Sequence, residues 1–461
     1  MTGQRLTSRR ALLGWGMAGA GAAALAACGS GSGSTASSPA SSGSASPTPM
    51  PDVPSPADTT RVMSAEEAAA LVEWQARQAA DAGSYGIAGA LIRNDTGEVL
   101  MHLPNKVVQR IDQGAQATAG ATFTYDPTAH GERQLVYWYY ANRDKLKLPE
   151  ASKLTVVTSL DPCAMCTGSL LTAGLNAGVV AMDTFSGINY TGKGTFEDLP
   201  DGPRQQALAT FGYYAVKGGR AFQGSDSVVF AKDELQQATF EGCETIYQDS
   251  ANTVRASRKQ TGIEPSSLSD PATDPAAAPV VAAYKQAYPG AFSLKLADFQ
   301  RPDAALKSLL ESLRAGTAGA SNAVAFVDPF GNLVSAAAND PGTSPVATAL
   351  MAVLQGYSIT RFNLVNDPAT SAITQKTITS PKYGTFVWLD APDPTATTTI
   401  EDLGAYGSAV EGKLPDQTAT TNFQFYNPPA NGTVDQLRAV IAALPPLYSQ
   451  LIAINPQQVQ S

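Results

Sequence analysis

The pattern that most restricts the fold of this chain is built from one histidine, one glutamate and two cysteines. It reads D-P-T-A-H-G-E and, further along, D-P-C-A-M-C, so that His130, Cys163 and Cys166 are three residues of the kinds that bind zinc. Three protein ligands are one short of a closed tetrahedral site, and a catalytic zinc site keeps its fourth position for water. Glu132 lies two residues after the histidine and could take the proton that such a water gives up. Because the chain holds only two histidines and four cysteines, this arrangement predicts a catalytic zinc site.

Each part of the pattern also has a simpler interpretation. Cys163 and Cys166 alone could be a redox pair or a disulfide, and His130 alone could be a hydrogen-bonded histidine of the core. The combination favours zinc, because a proline precedes the first cysteine and a glutamate follows two residues after the histidine. A helix predicted to start at Cys163 would add free N–H groups and the positive end of a helix dipole, which favour the thiolate form.

The residues around these motifs predict an alternation of helices and strands. A Ser-x-x-Glu capping box opens a helix, two apolar segments joined by an Asn-Asp-Thr-Gly turn form a hairpin, and a strand precedes each motif. The predicted helices are 64–82, 130–143 and one starting at 163, and the predicted strands are 86–93, 98–103, 154–160 and 178–183. Residues 106–124 are predicted to form a polar loop. This order packs helices against a mixed sheet, so we expect an α/β fold.

Residues 62–258 resemble the cytidine/deoxycytidylate deaminase superfamily, and within it the nucleobase and tRNA-adenosine branch, where D-P-T-A-H-A-E and P-C-x-M-C are typical. The resemblance implies a three-layer fold with a mixed sheet flanked by helices, Zn²⁺ as the cofactor, and Glu132 as the catalytic proton carrier. It also implies that Asn105 and the backbone N–H groups of Gly131 and Cys163 hold the base. Gly131 stands where the family usually has alanine and keeps the N–H donor. Asn105 also fits a simpler role, because asparagine is a common turn residue after a strand.

The second half of the chain repeats the pattern of the first without its metal ligands. A helix, a strand, a turn and a second strand recur over residues 303–339. Gly97 and Asn105 are as far apart as Gly331 and Asn339, which indicates an internal repeat. We therefore predict a second, degenerate deaminase-like domain in tandem with the first. It resembles the inactive partner subunits of tRNA adenosine deaminases, which implies that the two halves pair within one chain.

The first part of the chain predicts an export signal and not a folded domain. S-R-R-A-L-L precedes an apolar, Gly/Ala-rich run that ends L-A-A-C, which resembles a twin-arginine signal with a lipobox at Cys28. A plain transmembrane anchor is the alternative, but the run is shorter than the roughly twenty apolar residues that span a bilayer. The Gly/Ser/Pro-rich segment that follows cannot bury enough apolar surface to fold and is predicted to be a flexible tether. Among the cysteines only Cys243 then remains, and its amphipathic helical surroundings indicate buried packing.

These observations divide the chain into segments and suggest a function. The segments are a signal peptide at 1–28, a tether at 29–60, a zinc deaminase domain at 61–262, a linker at 263–285 and a degenerate deaminase-like domain at 286–461. We expect a bacterial lipoprotein, anchored through Cys28 on the outer face of the cytoplasmic membrane, that hydrolytically deaminates a free nucleobase or nucleoside. The formal net charge of −9 argues against nucleic acid as a partner, since phosphate-rich ligands need Lys and Arg.

The alternative is a catalytically silent ligand-binding or interaction lipoprotein on the same scaffold, because the second half already lacks the ligands of the first. The sequence leaves several choices open. They are cytosine, guanine or adenine as the base, free base or nucleoside as the substrate, the oligomeric state, and the role of the C-terminal half.

Overall fold

The structure of the protein, a computed structural model, describes residues 59–114, 117, 121–257, 265–410, 422–452 and 454–459. The predicted signal peptide, with its lipobox cysteine Cys28, and most of the predicted tether lie outside these residues. Among the helices that are described, none combines the length and the apolar character that a membrane span needs.

The first half alternates helices and strands in the predicted order. Its helices are α1 (Ala65–Asp81), α2 (Gly131–Leu146), α3 (Ala164–Ala173), α4 (Asp201–Thr210) and α5 (Gln237–Ser257). Its strands are β1 (Ala88–Arg93), β2 (Val99–Pro104), β3 (Val108–Arg110), β4 (Thr122–Thr124), β5 (Leu154–Leu160), β6 (Asn176–Ala181), β7 (Phe211–Tyr213), β8 (Ala215–Val216), β9 (Gln223–Gly224) and β10 (Glu234–Leu235). The capping box is present in part, because the Ser64 hydroxyl accepts the Glu67 N–H at 3.2 Å.

Helices cover both faces of the first sheet. The strand order is β2-β1-β5-β6-β7-β9, with β1 antiparallel to β2 and β5, and with β5, β6 and β7 parallel. Alternate side chains of a strand point to opposite faces, so Val156 packs with α2 and α3 whereas Val157 packs with α1 and α5. The predicted three-layer α/β arrangement is thus confirmed. Cys243 lies on α5 and is buried on the face of the sheet that α1 and α5 cover, as expected.

The prediction of a polar loop over residues 106–124 is wrong for part of this segment. Val108 pairs with Thr124 in an antiparallel ladder between β3 and β4. The adjoining side chains of Ile111 and Phe123 pack against Phe362 and Val365, which belong to the second half of the chain. Because that contact is between distant residues, the local sequence does not reveal it.

The second half begins with helices that lead into a second sheet. Its helices are α6 (Ala278–Ala287), α7 (Ala304–Gly316), α8 (Ala349–Asn366), α9 (Ser371–Thr377), α10 (Thr397–Val410) and α11 (Val434–Ala443), followed by a helical turn at Leu447–Ile452. Its strands are β11 (Ala323–Val327), β12 (Leu333–Ala338), β13 (Thr385–Asp390), β14 (Phe423–Asn427) and β15 (Gln457–Gln458).

The second sheet repeats the first strand by strand. Its order is β12-β11-β13-β14-β15, and the senses of pairing match those of β2-β1-β5-β6-β7. The hairpin glycines agree as well, since Gly97 and Gly331 have φ angles of 70° and 88°, values that favour glycine. Their carbonyl oxygens accept the N–H groups of Val62 at 2.9 Å and Leu296 at 2.8 Å, respectively. The predicted repeat is therefore confirmed at the level of topology.

The two halves share one hydrophobic core. Helix α3 of the first half crosses α10 of the second, and each helix has a glycine at the crossing. A Cβ atom on Gly168 would collide with the backbone of Glu401, and one on Gly404 would collide with the backbone of Met165. The absence of side chains at these two positions thus allows the helix that carries the cysteines to lie directly against the second half.

Candidate metal centre

The turn that carries His130 is held by the side chain of Asp126. Oδ1 of Asp126 accepts hydrogen bonds from the N–H and the hydroxyl of Thr128, at 2.8 and 2.6 Å. Aspartate favours such turns because its short carboxylate reaches the backbone two residues further on. The Lys106 N–H donates to the carbonyl oxygen of Ala129 at 2.9 Å, which ties the turn to the end of β2. His130 then forms the N-cap of α2.

The two cysteines lie at the start of α3, as the sequence predicts. Cys163 is the N-cap residue, and Cys166 follows in the first turn. The loop after β6 supports this segment from one side. Its Ile188 N–H donates to the carbonyl oxygen of Pro162 at 2.8 Å, and its Gly187 forms a β-bridge with Cys163.

His130, Cys163 and Cys166 come together and can bind a metal ion. Their ligand atoms all lie within 4.8 Å of one another, and the described part of the chain contains no second group of this kind. Nδ1 of His130 and Sγ of Cys163 are 3.6 Å apart. Zn–N and Zn–S bonds of about 2.0 and 2.3 Å at a tetrahedral angle put these two atoms about 3.5 Å apart, so the pair fits zinc.

The protonation of the two thiols also suits a cation. The hydrogen bond from Cys166 lowers the pKa of the Cys163 thiol well below its usual value, and the charge of His130 lowers it further, whereas burial opposes both. Burial raises the pKa of the Cys166 thiol well above its usual value. One thiolate therefore forms readily, and the second needs a positive ion nearby, which a bound metal supplies.

Glu132 lies beside the three ligands without joining them. Its Oε1 accepts a hydrogen bond from the Thr158 hydroxyl at 2.9 Å, and its Oε2 lies 3.5 Å from Sγ of Cys166. Burial raises the pKa of Glu132, although His130 and the Thr158 hydrogen bond act in the opposite direction. A buried carboxyl group with a raised pKa next to a metal site is a candidate for general acid–base catalysis.

Asn105 lies next to the His130 turn and has one unused donor. Its Oδ1 accepts hydrogen bonds from the Ser84 hydroxyl at 2.8 Å and the Val107 N–H at 2.9 Å. Its Nδ2 is buried and has no hydrogen-bond partner among the described residues. Oδ1 therefore stabilises the turn after the strand, as the simpler interpretation expects, and the substrate-binding role of Asn105 stays a prediction.

The structure gives a reason for glycine at position 131 that the sequence does not show. A Cβ atom at this position would lie 2.7 Å from the carbonyl oxygen of Leu103 and 3.0 Å from the N atom of Gly89. The start of α2 thus lies directly on the backbone of β1 and β2, in a space that alanine does not fit.

Sequence reasoning missed three residues near the site. Thr158 contacts Glu132, but threonine is so common in strands that its type carries no signal. Gln355 and Tyr448 belong to the second half and reach the site only through the tertiary fold. Tyr448 is fully buried, and burial together with the nearby Cys163 and Cys166 raises the pKa of its hydroxyl well above the ordinary value.

Among solved structures, the chain is similar to deaminases. No family model matches the chain, and no curated protein matches it. A tRNA adenosine deaminase that edits A to I at the wobble position of transfer RNA is 18% identical over 26% of this chain and 77% of its own, with a TM-score of 0.19. The guanine deaminase from Nitrosomonas europaea is 17% identical over 41% of this chain and 87% of its own, with a TM-score of 0.23.

A structure solved in complex with 2,6-diaminopurine is 16% identical over 42% of this chain and 84% of its own, with a TM-score of 0.24. At these TM-scores the similarities add nothing to what the metal centre itself implies.

Proposed function

We propose that the protein is a zinc-dependent hydrolytic deaminase that releases ammonia from the exocyclic amine of a free nucleobase or nucleoside. The observation that carries the proposal is the position of Glu132. Its carboxyl group is buried and lies 3.5 Å from a ligand sulfur, yet it is not one of the three residues grouped as ligands. A buried carboxyl group with a raised pKa in that position has a clear use as a proton carrier.

The reaction divides between the ion and the chain. Zinc, when bound, supplies a Lewis acid that makes water acidic enough to lose a proton near neutral pH. Glu132 accepts that proton and delivers it to the ring nitrogen of the base while the water oxygen bonds to the carbon that carries the amine. Glu132 then transfers the second proton of the former water to the departing amine, which leaves as ammonia. The Thr158 hydroxyl orients the carboxyl group through Oε1 during both transfers.

The substrate class follows from the charge of the chain and from the polar groups at the site. A formal net charge of −9 disfavours polyanions, so a small uncharged base or nucleoside fits better than nucleic acid. The buried Nδ2 of Asn105 offers a hydrogen bond to an acceptor on such a base. The resemblance of the motifs to deaminases supports the same substrate contact, with the N–H groups of Gly131 and Cys163.

Export and anchoring are part of the proposal and rest on the sequence. The twin-arginine pattern and the lipobox at Cys28 support a lipoprotein on the outer face of the cytoplasmic membrane. The twin-arginine route would suit a metal enzyme, because the protein could acquire its ion before it crosses the membrane.

A ligand-binding lipoprotein without catalysis is the second candidate. It is favoured by the second half, where Thr348 forms the N-cap of α8 in the place that His130 has at α2. Since one copy of the scaffold lacks the metal-binding residues, the other copy could bind a small molecule without catalysing a reaction.

The test is to measure zinc content and ammonia release on the same samples. The substrates are cytosine, guanine, adenine and their nucleosides. Glu132→Gln should keep zinc and lose at least about 10²–10⁴-fold in rate, because the amide fills the space but carries no proton. Cys163→Ala should lose both zinc and activity. Glu241→Gln, which changes an exposed carboxylate on α5, is the matched control and should behave like the wild type.

Two outcomes would contradict the proposal. Substantial turnover by Glu132→Gln would mean that another group carries the proton. A zinc-loaded wild-type protein that is inactive on every substrate would favour the ligand-binding candidate.

A further inference from the structure

The His130 turn is tied to the second half of the chain by a short series of hydrogen bonds. Gln355, on α8, donates from Nε2 to Oδ2 of Asp126 at 2.7 Å. The other carboxylate oxygen of Asp126 accepts the N–H and the hydroxyl of Thr128. The carbonyl oxygen of Thr128 accepts the His130 N–H at 3.0 Å. A side chain of the second half thus reaches, in three steps, the backbone of the residue that bears the imidazole.

The cysteine segment also contacts the second half. The Leu447 N–H donates to the carbonyl oxygen of Phe185 at 3.0 Å. Phe185 belongs to the same loop as Gly187, which forms the β-bridge with Cys163. Tyr448 follows Leu447 and is fully buried near both cysteines. Both segments that supply metal ligands are therefore supported by residues of the second half.

We infer that the second half acts as a built-in positioning partner for the metal centre, and that Gln355 orients His130 through Asp126. The inference rests on the metal centre of the proposed function, but it does not depend on which reaction that centre catalyses. Gln355 is not one of the grouped ligand residues and acts through its hydrogen bond to Asp126. Its amide restricts the arrangements open to the turn, so that the imidazole is already placed when an ion binds. Partners behind a metal ligand commonly change metal affinity by about 10–100-fold when they are removed.

The experiment compares zinc release from full-length variants. Gln355→Met keeps the length of the side chain but removes its donor, and we expect zinc to pass to a chelator about tenfold faster than from the wild type. Gln355→Glu places a second carboxylate next to that of Asp126, and the repulsion between them should accelerate zinc release further. In the double variant Asp126→Asn/Gln355→Glu the new amide can donate to the new carboxylate, which restores the hydrogen bond in the opposite direction. Its release rate should return to within about threefold of the wild type.

A second readout separates positioning from general loss of structure. The absorption spectrum of Co²⁺ bound in place of zinc reports the ligand geometry, and it should change in Gln355→Glu and recover in the double variant. Asn366→Ala is the matched control, because Asn366 also lies on α8 and accepts cross-half hydrogen bonds from the Asp112 and Gln113 N–H groups. That variant should show wild-type zinc release and a wild-type cobalt spectrum.

The inference is overturned if Gln355→Met and Gln355→Glu release zinc at the wild-type rate, or if the double variant is no slower than Gln355→Glu. An equal acceleration of zinc release by Asn366→Ala would also overturn it, since the loss of any contact between the halves would then have the same effect. Because none of these measurements uses a substrate, they remain informative even if the wild type proves inactive on every base, which would contradict the proposed function alone.

Discussion

Replacing Gly131 by alanine gives a direct test of how α2 lies on the sheet. The substitution introduces alanine, which is usual at this position in the deaminase family that the motif resembles. Alanine is also favoured over glycine in a helix by about 1 kcal/mol. On those grounds alone the variant would be at least as stable as the wild type. We expect the opposite result for this chain.

The expected loss follows from what the new methyl group would touch. Its nearest neighbours are the Leu103 carbonyl oxygen at 2.7 Å, the Gly89 N atom at 3.0 Å and the Ala88 carbonyl carbon at 3.2 Å. All three are backbone atoms, and Gly89 and Leu103 are paired partners in the β1–β2 ladder, so they have little freedom to move. Overpacking of this kind costs about 1–3 kcal/mol. After the gain in helix propensity, Gly131→Ala should be destabilised by up to roughly 2 kcal/mol.

The same displacement should reach the site, because Gly131 lies between His130 and Glu132. If the start of α2 shifts by a large fraction of an ångström, the rate of ammonia release should fall by about 10–100-fold, in line with the known sensitivity of catalysis to misplaced groups. Gly356→Ala is the matched control, since it also places a methyl group on a helix but finds no atom within 4 Å. That variant should gain up to about 1 kcal/mol.

The measurement is urea denaturation of the two variants and the wild type, with zinc content measured in parallel. The two substitutions should shift the free energy of unfolding in opposite directions. If Gly131→Ala is as stable and as active as the wild type, the contact between α2 and the β1–β2 backbone is not as close as described, and the structural reason for this glycine is wrong.

Three further predictions concern the halves, the pH dependence and the membrane. Gly404→Ala should separate α10 from α3 and lower the free energy of unfolding by about 1–3 kcal/mol. It should also weaken zinc binding, because the clash falls on Met165, which lies between the cysteines. An unchanged denaturation midpoint and zinc content would argue against a close crossing of the two helices. Burial raises the pKa of Asp402 from 3.8 to about 7, so the folded state binds this proton more tightly than the unfolded chain, and stability should fall as the pH rises from about 4 to 7. Asp402→Asn should flatten that part of the curve and unfold at higher urea than the wild type at about pH 8, and equal midpoints at that pH would refute the assignment. Cys28→Ser should release the protein into the medium or leave its signal uncleaved, and normal membrane fractionation would contradict the lipobox.

The local sequence was sufficient for most elements of the two sheets. Leu154–Leu160 forms a strand with the predicted bounds, because runs of apolar and β-branched residues between turn signals have few other stable conformations. The grouping of His130, Cys163 and Cys166 was also predicted, from the motifs that contain them. Cys163 and Cys166 lie one helical turn apart at the start of α3, but α2 follows β4 of the separate two-stranded sheet, so the order of the strands does not by itself bring His130 to them.

Other features depended on residues far away in the chain. The β3–β4 pair was missed because its apolar support comes from Phe362 and Val365, which the local pattern of 106–124 does not contain. Gly131 was interpreted only as a weaker match to a motif, since the backbone that excludes a side chain there belongs to β1 and β2.

The sequence by itself determined which residues are of the types that can hold an ion or carry a proton, because those properties belong to the residue types and their spacing. Only the tertiary structure decided how these residues are held in place. The glycine crossing of α3 with α10 and the bond from Gln355 to Asp126 join segments more than two hundred residues apart. Such contacts arise from the packing of two complete halves, and no local pattern of side chains encodes the partner at that distance. The second half of the chain therefore contacts both segments that carry His130, Cys163 and Cys166.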